Sequence, residues 1–286
     1  MNKAVLITGG AGFIGSNLVN HLIDDKTLEV YWFDRDYSKL DQNQAKNYIE
    51  LDIKNIEHIT SKHNIKPDII YHLAADIRVQ ESFDNPTQYI ENNVLGTQYV
   101  LDYAHKIGAK VIYAGSASRH GDPASSPYAL SKYLGEELCK MYRKVYKLDV
   151  NIARFYNVYG PNEHVGPKDA SVIGIWRYNA ENNIKCQIVG DGDQERDFIH
   201  VQDIVEGLVA ISKSSTPHDD AWELGTGSTT SINDLATMFH ERFGTRFDWI
   251  EDQLGNVKKS ILTNNDTNTR LGWNPQRELV HYIMTL

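Results

Sequence analysis

A tyrosine and a lysine stand four residues apart near the start of a predicted helix. Because an α-helix turns once in about 3.6 residues, Tyr128 and Lys132 lie on one face of it. A positive charge beside an acid lowers the pKa of that acid by about 1–3 units. The sequence therefore predicts that Lys132 makes the Tyr128 phenol easier to ionise, so that it can act as a base. This spacing also arises about once by chance in such a chain, so its context decides.

A serine precedes this pair at the end of a predicted strand. Residues 111–114 form an apolar run that is typical of a buried strand, and Ser116 follows at its carboxyl end. Ligands bind at the carboxyl ends of the strands in open α/β sheets. Ser116 can donate a hydrogen bond to the substrate oxygen that Tyr128 deprotonates. Taken singly, Ser116 and Ser118 are also ordinary loop serines, but strand, serine, tyrosine and lysine in this order predict a catalytic site.

The N-terminal segment has the layout of a dinucleotide-binding unit. A strand pattern leads into Gly9, Gly12 and Gly15, which a helix pattern follows directly. Glycines let the backbone approach a pyrophosphate, and the helix N-terminus attracts its negative charge. A second strand ends on Asp34, which can bind both ribose hydroxyls and repels a 2′-phosphate, so NAD is favoured over NADP. Arg35 beside it opposes that preference, and a simple tight turn is the alternative interpretation of the glycines.

The surrounding elements predict an α/β fold with a doubly wound parallel sheet of the Rossmann type. Strand and helix patterns alternate through the first half of the chain. The sequence predicts strands at 4–8, 30–34, 48–51, 68–72, 111–114 and 150–155, and long helices at 87–105 and 128–146. We assign residues 1–160 to a dinucleotide-binding domain and 161–286 to a smaller, partly interleaved α/β substrate-binding lobe. Part of 190–213 is expected to be able to return to the first domain.

Composition excludes several classes of protein. The chain has 286 residues, of which 41% are hydrophobic, and no apolar run approaches the roughly 18 residues of a membrane span. The strand and glycine turn at the N-terminus leave no room for a signal or transit peptide. A net charge of −9 argues against nucleic acid or a membrane as partner. Cys139 and Cys186 lack metal-ligand spacing, which predicts no metal site and a reducing, cytoplasmic location.

An ordered series of motifs resembles the extended short-chain dehydrogenase/reductases, in particular the NAD-dependent nucleotide-sugar epimerases and dehydratases such as UDP-glucose 4-epimerase-like proteins. The motifs lie at 8–15, 51–53, 72–75, 91–97, 116–132, 154–161, 190–201 and 224–227, and so span nearly the whole chain. The resemblance implies NAD as cofactor, whose positive nicotinamide ring adds to the effect of Lys132 on Tyr128. It implies cofactor-binding roles for Gly9, Gly12, Phe13, Ile14, Gly15, Asp34, Arg35, Asp52, Ile53, Leu73, Ala74, Ala75, Asn93, Tyr128 and Lys132.

The resemblance also implies a nucleotide-sugar substrate. The family residues that match Asn157 and Arg196 hold the phosphates of the sugar nucleotide, and Ser118 is expected to contact the substrate. Arg196 suits this role because its planar fork pairs with phosphate through two hydrogen bonds. The alternatives are a surface salt bridge from Arg196 to Asp193 or Asp197, and a structural role for Asn157 in a turn at a strand end.

Substitutions within the motifs narrow the reaction. Dehydratases of the family carry an Asp-Glu pair directly after the position of Ser116, where this chain has Ala117 and Ser118. Decarboxylases keep an acid there, and reductase-epimerases have Cys in place of Ser118. The resemblance therefore implies a UDP-hexose 4-epimerase that transiently oxidises the sugar. The alternatives are an ADP-heptose 6-epimerase, another nucleotide-sugar oxidoreductase or dehydratase, and a non-catalytic protein that senses the cofactor.

The two long helices carry apolar positions that recur at helical spacing, among them Val94 and Leu101 in the first and Leu134, Leu138 and Val145 in the second. Residues 87–105 and 128–146 each cover the sheet with one apolar stripe. A remaining stripe predicts the homodimer, through paired helices, that relatives form.

Overall fold

The structure is a computed structural model that describes residues 2–35, 47–168, 170–215, 217–253, 256–264 and 266–286. They pack into two compact units. The first consists of Met1–Arg154 and Val205–Trp222, and the second of Phe155–Ile204 and Glu223–Leu286. The sequence-based domain limits, 1–160 and 161–286, stay a prediction.

The strands are short and mostly apolar. In chain order they are β1 (Lys3–Thr8), β2 (Leu28–Asp34), β3 (Tyr48–Glu50), β4 (Ile69–His72), β5 (Lys110–Ser116), β6 (Val150–Phe155), β7 (Asn157–Tyr159), β8 (Cys186–Val189), β9 (Glu195–Arg196), β10 (Phe198–His200), β11 (Trp222–Leu224), β12 (Thr230–Ser231), β13 (Phe247–Ile250) and β14 (Lys259–Ser260).

The helices alternate with these strands in the first half of the chain. They are α1 (Phe13–Leu22), α2 (His58–His63), α3 (Val79–Asp84), α4 (Pro86–Tyr89), α5 (Gly96–Ile107), α6 (Pro127–Tyr146), α7 (Val172–Glu181), α8 (Val201–Lys213), α9 (Ile232–Phe243), α10 (Asp266–Leu271) and α11 (Leu279–Thr285). Within the ranges above, none of them is both long and apolar enough to cross a membrane.

A seven-stranded sheet has the order β11-β6-β5-β4-β1-β2-β3. β1 pairs in parallel with both β2 and β4, so the chain winds outward from β1 in two directions. This is the doubly wound Rossmann order, and the predicted α/β fold is confirmed. Val5, Leu6 and Ile7 in β1 are almost completely buried, as expected for a parallel strand that is covered on both faces.

The predicted helix at 87–105 contains an unpredicted irregularity. α4 continues into a π-helical turn, Ile90–Leu95, before α5 begins at Gly96. A π turn inserts one extra residue per turn and is frequent at functional sites. Its pattern of apolar side chains resembles that of an α-helix, so sequence periodicity does not distinguish the π turn from the helix around it.

The second unit contains three small sheets and its own apolar core. β10 pairs with β7 and β13 with β8, both in parallel, while β9 lies between β12 and β14. Trp176 of α7 packs edge-on against Phe239 of α9 in this core.

Candidate active site

The glycine turn after β1 forms a close backbone cradle in the first unit. Gly9 has φ +74°, and a Cβ there would lie 2.8 Å from the Ala74 nitrogen. A Cβ on Gly15 would lie 2.0 Å from the Gly9 carbonyl oxygen. Side chains are therefore excluded at both positions, and α1 begins with its N-terminus against the turn. A helix N-terminus that the backbone can approach this closely is suited to a pyrophosphate.

An open cleft of about 210 Å³ borders the cradle. Its lining is Gly9, Gly12, Phe33, Asp34, Arg35, Leu51, Ile53, Leu73, Ala74, Ala75 and Asn92. Eight of these are among the predicted cofactor residues. Sequence reasoning missed Phe33, Leu51 and Asn92, although Phe33 and Leu51 directly precede Asp34 and Asp52, and that adjacency was the available signal.

The other cofactor residues predicted in this region do not line the cleft. Phe13, Ile14 and Gly15 form the first turn of α1. Asp52 caps the 3₁₀ turn Ile53–Asn55 and accepts a hydrogen bond from the Lys54 nitrogen at 3.1 Å. Their contact with a cofactor stays a prediction.

Asn93 is buried in the π turn, and its side chain forms hydrogen bonds with the loop after β4 and with α6. Its side-chain oxygen accepts from the Asp76 nitrogen at 2.8 Å, and its amide donates to the Ser131 hydroxyl at 2.9 Å. This geometry ties the loop after β4 to α6. The predicted cofactor contact of Asn93 stays a prediction.

Asp34 and Arg35 are arranged to favour an unphosphorylated ribose. The Asp34 carboxylate accepts a hydrogen bond from the Ala11 nitrogen at 3.1 Å, which fixes it beside the glycine turn. Arg35 forms an ion pair with Asp76 at 3.1 Å. A 2′-phosphate would have to compete with the Asp76 carboxylate for Arg35, so the arginine opposes NAD less than the sequence suggested.

A chain of buried hydrogen bonds supports the cradle from behind. The Ala74 nitrogen donates to Thr8 Oγ1 at 3.1 Å, and Thr8 Oγ1 lies 2.9 Å from His72 Nδ1. On the other side, His72 Nε2 lies 3.1 Å from Thr97 Oγ1, which donates to the Asn93 carbonyl oxygen. Because the Thr97 hydroxyl proton is donated to Asn93, Thr97 Oγ1 can only accept from His72. His72 therefore carries its proton on Nε2, and its Nδ1 accepts a hydrogen bond from Thr8 Oγ1. Burial lowers the pKa of His72 to about 3, so the ring is neutral.

The three predicted catalytic residues lie at the adjoining ends of β5 and α6. Ser126 caps α6 by accepting from the Ala129 nitrogen at 3.1 Å, which begins the helix just before Tyr128. The Tyr128 hydroxyl lies 3.3 Å from Ser116 Oγ. Lys132 Nζ donates to the Ala114 carbonyl oxygen at 2.6 Å. The structure thus brings Ser116 and Tyr128 into contact and anchors the Lys132 ammonium on the strand.

The expected effect of Lys132 on Tyr128 is wrong for the protein chain by itself. Burial raises the pKa of Tyr128, and the hydrogen bond with Ser116 opposes this only in part. Burial also lowers the pKa of Lys132, to about 8. Both shifts favour the neutral forms, because removing a charge from water is unfavourable. The groups that lower the Tyr128 pKa are Ser116 and Arg78 rather than Lys132, and desolvation outweighs them.

Ser118 contacts Ser116 directly. Its nitrogen and its hydroxyl lie 3.2 and 2.9 Å from Ser116 Oγ, and both donate to it. The Tyr128 hydroxyl donates to the same oxygen at 3.3 Å, so Ser116 Oγ is the common acceptor for Ser118 and Tyr128. Contact of Ser118 with a substrate stays a prediction.

Asn157 and Arg196 belong to the second unit. The Asn157 side-chain amide donates to the Asp197 carbonyl oxygen at 3.1 Å, which is the structural role that the sequence left open. Arg196 donates to the Glu195 carbonyl oxygen at 3.0 Å and to Asn256 Oδ1 at 2.9 Å. Burial lowers the pKa of its guanidinium.

The alternative ion pair for Arg196 is not formed. Across the described ranges, neither Asp193 nor Asp197 forms a salt bridge with it. The Asp197 carboxylate is buried and accepts from the Thr226, Gly227 and Leu262 nitrogens instead. In the same ranges, no group of three or more His, Cys, Asp or Glu side chains is placed to hold a metal ion.

Residues 5–225 match the family model described as the NAD dependent epimerase/dehydratase family. The chain belongs to this family. It is therefore an enzyme of the NAD dependent epimerase/dehydratase family, its cofactor is NAD, and the resemblance to this family is confirmed. The glycine cradle and the fixed Asp34 carboxylate fit that cofactor.

Relatives align over nearly the whole chain. A protein of Methanocaldococcus jannaschii that is provisionally named UDP-glucose 4-epimerase is 34% identical, over 96% of this chain and 94% of its own. The UDP-glucose 4-epimerase of Mycolicibacterium smegmatis is 31% identical, over 97% and 95%. The structure of UDP-glucose 4-epimerase with UDP-glucose from Thermotoga maritima superposes with a TM-score of 0.89, at 28% identity, over 98% of this chain and 96% of the other.

Proposed function

We propose that this family member is an epimerase of a nucleotide-activated sugar, of the UDP-hexose 4-epimerase type. The observation that carries the proposal is the composition of the turn after Ser116. Ala117–His120 forms a 3₁₀ turn in which Ser118 is hydrogen-bonded to Ser116. The two positions where dehydratases carry an acid pair thus supply neither a general acid nor a general base. Both curated relatives described above bear the name of a UDP-glucose 4-epimerase, which supports the same reaction.

The three catalytic side chains have separate roles in the transfer of one proton. Tyr128 takes the proton of the sugar hydroxyl, and Ser116 orients the oxygen with its hydroxyl. When bound, NAD supplies reversible acceptance of a hydride at the same carbon. Lys132 is placed to hold the nicotinamide ribose, and the positive charge of the bound cofactor would oppose the raised pKa of Tyr128. The base must return the proton after the sugar has turned over, so no net oxidation results.

The phosphates provide the binding energy while the sugar changes face. The half-buried guanidinium of Arg196 donates to two neutral oxygens, the Glu195 carbonyl and Asn256 Oδ1, so its charge remains available to a diphosphate. Asn157 is proposed to assist it. Binding at the phosphates leaves the hexose free to rotate, because the affinity is located away from the reacting carbon.

Product stereochemistry tests the proposal. The purified protein is incubated separately with UDP-glucose, UDP-galactose, UDP-N-acetylglucosamine, dTDP-glucose and ADP-heptose, and products are followed by proton NMR. We expect the 4-epimer of a UDP-hexose, and a kcat lower by about 10²–10⁴ in Tyr128→Phe. A 6-epimer of the heptose, or a 4-keto-6-deoxy product, would identify one of the alternative enzymes. Unchanged biological activity of Tyr128→Phe would favour the cofactor-sensing protein.

A homodimer through α5 and α6 is part of the proposal. These helices expose large apolar side chains, namely Tyr99, Leu130, Met141, Val145 and Tyr146. Val145 is 59% exposed, which is unusual for such a residue beside other apolar side chains. Light scattering that gives the mass of a single 32.5 kDa chain would rule the dimer out. The cytoplasmic location stays a prediction.

A further inference from the structure

A buried carboxylate lies directly behind the proposed catalytic residues, and the mechanism does not use it. Tyr128, Lys132 and Glu136 are spaced at four-residue intervals and so occupy one face of α6. Glu136 is only 1% exposed. An ionised side chain in such a place is unfavourable unless it is paired and hydrogen-bonded. The reason for its presence is therefore to be found in its contacts.

Arg154 is the main partner of Glu136. Its Nε lies 3.1 Å from each carboxylate oxygen, and its Nη2 lies 2.8 Å from Oε2. The other edge of the same guanidinium contacts the Asp220 carboxylate at 2.7 and 3.0 Å. The arginine is thus shared between two carboxylates, and Lys140 also contacts Asp220. A second arginine faces the same carboxylate, because Arg119 Nε lies 3.8 Å from Glu136 Oε2. Glu136 also acts on two further groups.

One of those groups is the end of β5, which bears Ser116. The Ser116 nitrogen lies 3.5 Å from Glu136 Oε1. A Cβ on Gly115 would lie 2.8 Å from the same oxygen, so the strand reaches the carboxylate only because residue 115 is glycine. The contact sets the position of the backbone from which the Ser116 hydroxyl projects.

The other group is the Lys132 ammonium. Lys132 lies one helical turn before Glu136 on the same face of α6, and apart from Glu136 its titratable neighbours on β4, β5 and α6 are uncharged. Burial holds the pKa of His72 near 3 and raises the pKa values of Tyr113, Cys139 and Tyr128. Within the described part of the chain, Glu136 is the carboxylate that opposes the loss of the Lys132 proton on burial.

We propose that Glu136 is a positioning residue, whose carboxylate keeps Lys132 protonated and holds the end of β5 behind Ser116. The inference rests on the proposed function, because it requires the ammonium of Lys132 to hold the cofactor. Glu136→Gln removes the charge while keeping nearly the same shape. The Lys132 pKa should then fall from about 8 by about 1–3 units, since an opposite charge of this kind raises it by that much.

The test is the pH dependence of NAD affinity between pH 6 and 9, measured by calorimetry on protein stripped of nucleotide. Affinity should weaken as the pH rises through the Lys132 pKa. In Glu136→Gln the midpoint of this loss of affinity should move to lower pH by at least about one unit. At pH values above both midpoints, the variant should therefore bind NAD roughly tenfold more weakly than the unmodified protein. The falling limb of kcat/KM for the UDP-hexose should move in the same direction.

Glu137→Gln is the matched control, because it removes a partly exposed carboxylate from the next position of α6. In Glu137→Gln, the loss of NAD affinity with pH should have the same midpoint as in the unmodified protein. A Glu136→Gln profile that superimposes on the unmodified one, or an equal shift in Glu137→Gln, overturns the inference.

Failure of the variant to fold and absence of turnover are treated as separate outcomes. If Glu136→Gln does not fold, Glu136→Asp decides, since it keeps the charge and shortens the side chain by one carbon. In Glu136→Asp, the loss of NAD affinity with pH should have the same midpoint as in the unmodified protein. A shift of that midpoint by about one pH unit or more refutes the inference. If no sugar nucleotide is turned over, the proposed function fails, but the pH profile of NAD affinity still tests the role of Glu136.

Discussion

Replacing Gly12 by alanine should separate binding of the cofactor from stability of the fold. Gly12 caps α1 with φ −70° and ψ 172°, a backbone conformation that any residue can adopt. Apart from its chain neighbours, the Gly9 carbonyl oxygen is the only described atom within 4 Å of a methyl group built there, at 3.2 Å. Because Gly12 lines the cleft, the methyl group is directed at the space that a pyrophosphate would occupy.

The magnitudes follow from this geometry. A hydrogen bond to a charged group contributes about 1.5–3 kcal/mol, and the methyl group should prevent one such bond to the pyrophosphate. The Kd for NAD should therefore rise roughly 10- to 100-fold. The free energy of unfolding should change by no more than about 1 kcal/mol, because alanine restricts the unfolded chain and fits the native backbone.

The assays are calorimetry with NAD and denaturant unfolding, with two companion variants. In Gly15→Ala the methyl group would lie 2.0 Å from the Gly9 oxygen, so this variant should lose stability and NAD binding together. Gly108→Ala introduces alanine at φ +76° in open space, and should cost about 1 kcal/mol of stability without affecting the Kd. Unchanged NAD affinity in Gly12→Ala, or a large loss of its stability, would refute the reasoning.

Two further predictions concern the second unit and the support of the cradle. Arg196→Ala should raise the KM for the nucleotide sugar and leave the Kd for NAD unchanged. Arg177→Ala, which loses a partly exposed pair with Glu181 and an interaction with Tyr282, should change neither constant. Equal effects of the two variants in steady-state kinetics would contradict the phosphate role. Because the pKa of His72 is lowered to about 3 in the folded protein, the unfolded chain binds more protons below pH 6.5, and stability should fall as the pH falls through that range. From pH 6.5 to pH 5, the free energy of unfolding should fall by about 2 kcal/mol because of His72. In urea unfolding, the stability of His72→Gln should depend less strongly on pH. A pH dependence identical to that of the unmodified protein would exclude His72 as the cause of the loss.

Sequence alone determined the elements whose signals are local. The strand, glycines and helix at the N-terminus are adjacent in the chain, and the backbone requires glycine at positions 9 and 15. The same is true of α6, where Ser126 and Pro127 fix the start of the helix and thereby the common face of Tyr128 and Lys132. The doubly wound parallel sheet could also be predicted from the sequence, because alternating strand and helix patterns are compatible with few other folds.

Tertiary structure decided the properties that depend on distant neighbours. Whether Tyr128 is easier or harder to ionise depends on how completely β5 and α6 exclude water, and burial reversed the expected direction. The placement of Glu136 against Gly115 and Arg154 unites residues from one helix and two strands. Desolvation and long-range pairing act between residues that are far apart in the chain, so no local pattern records them.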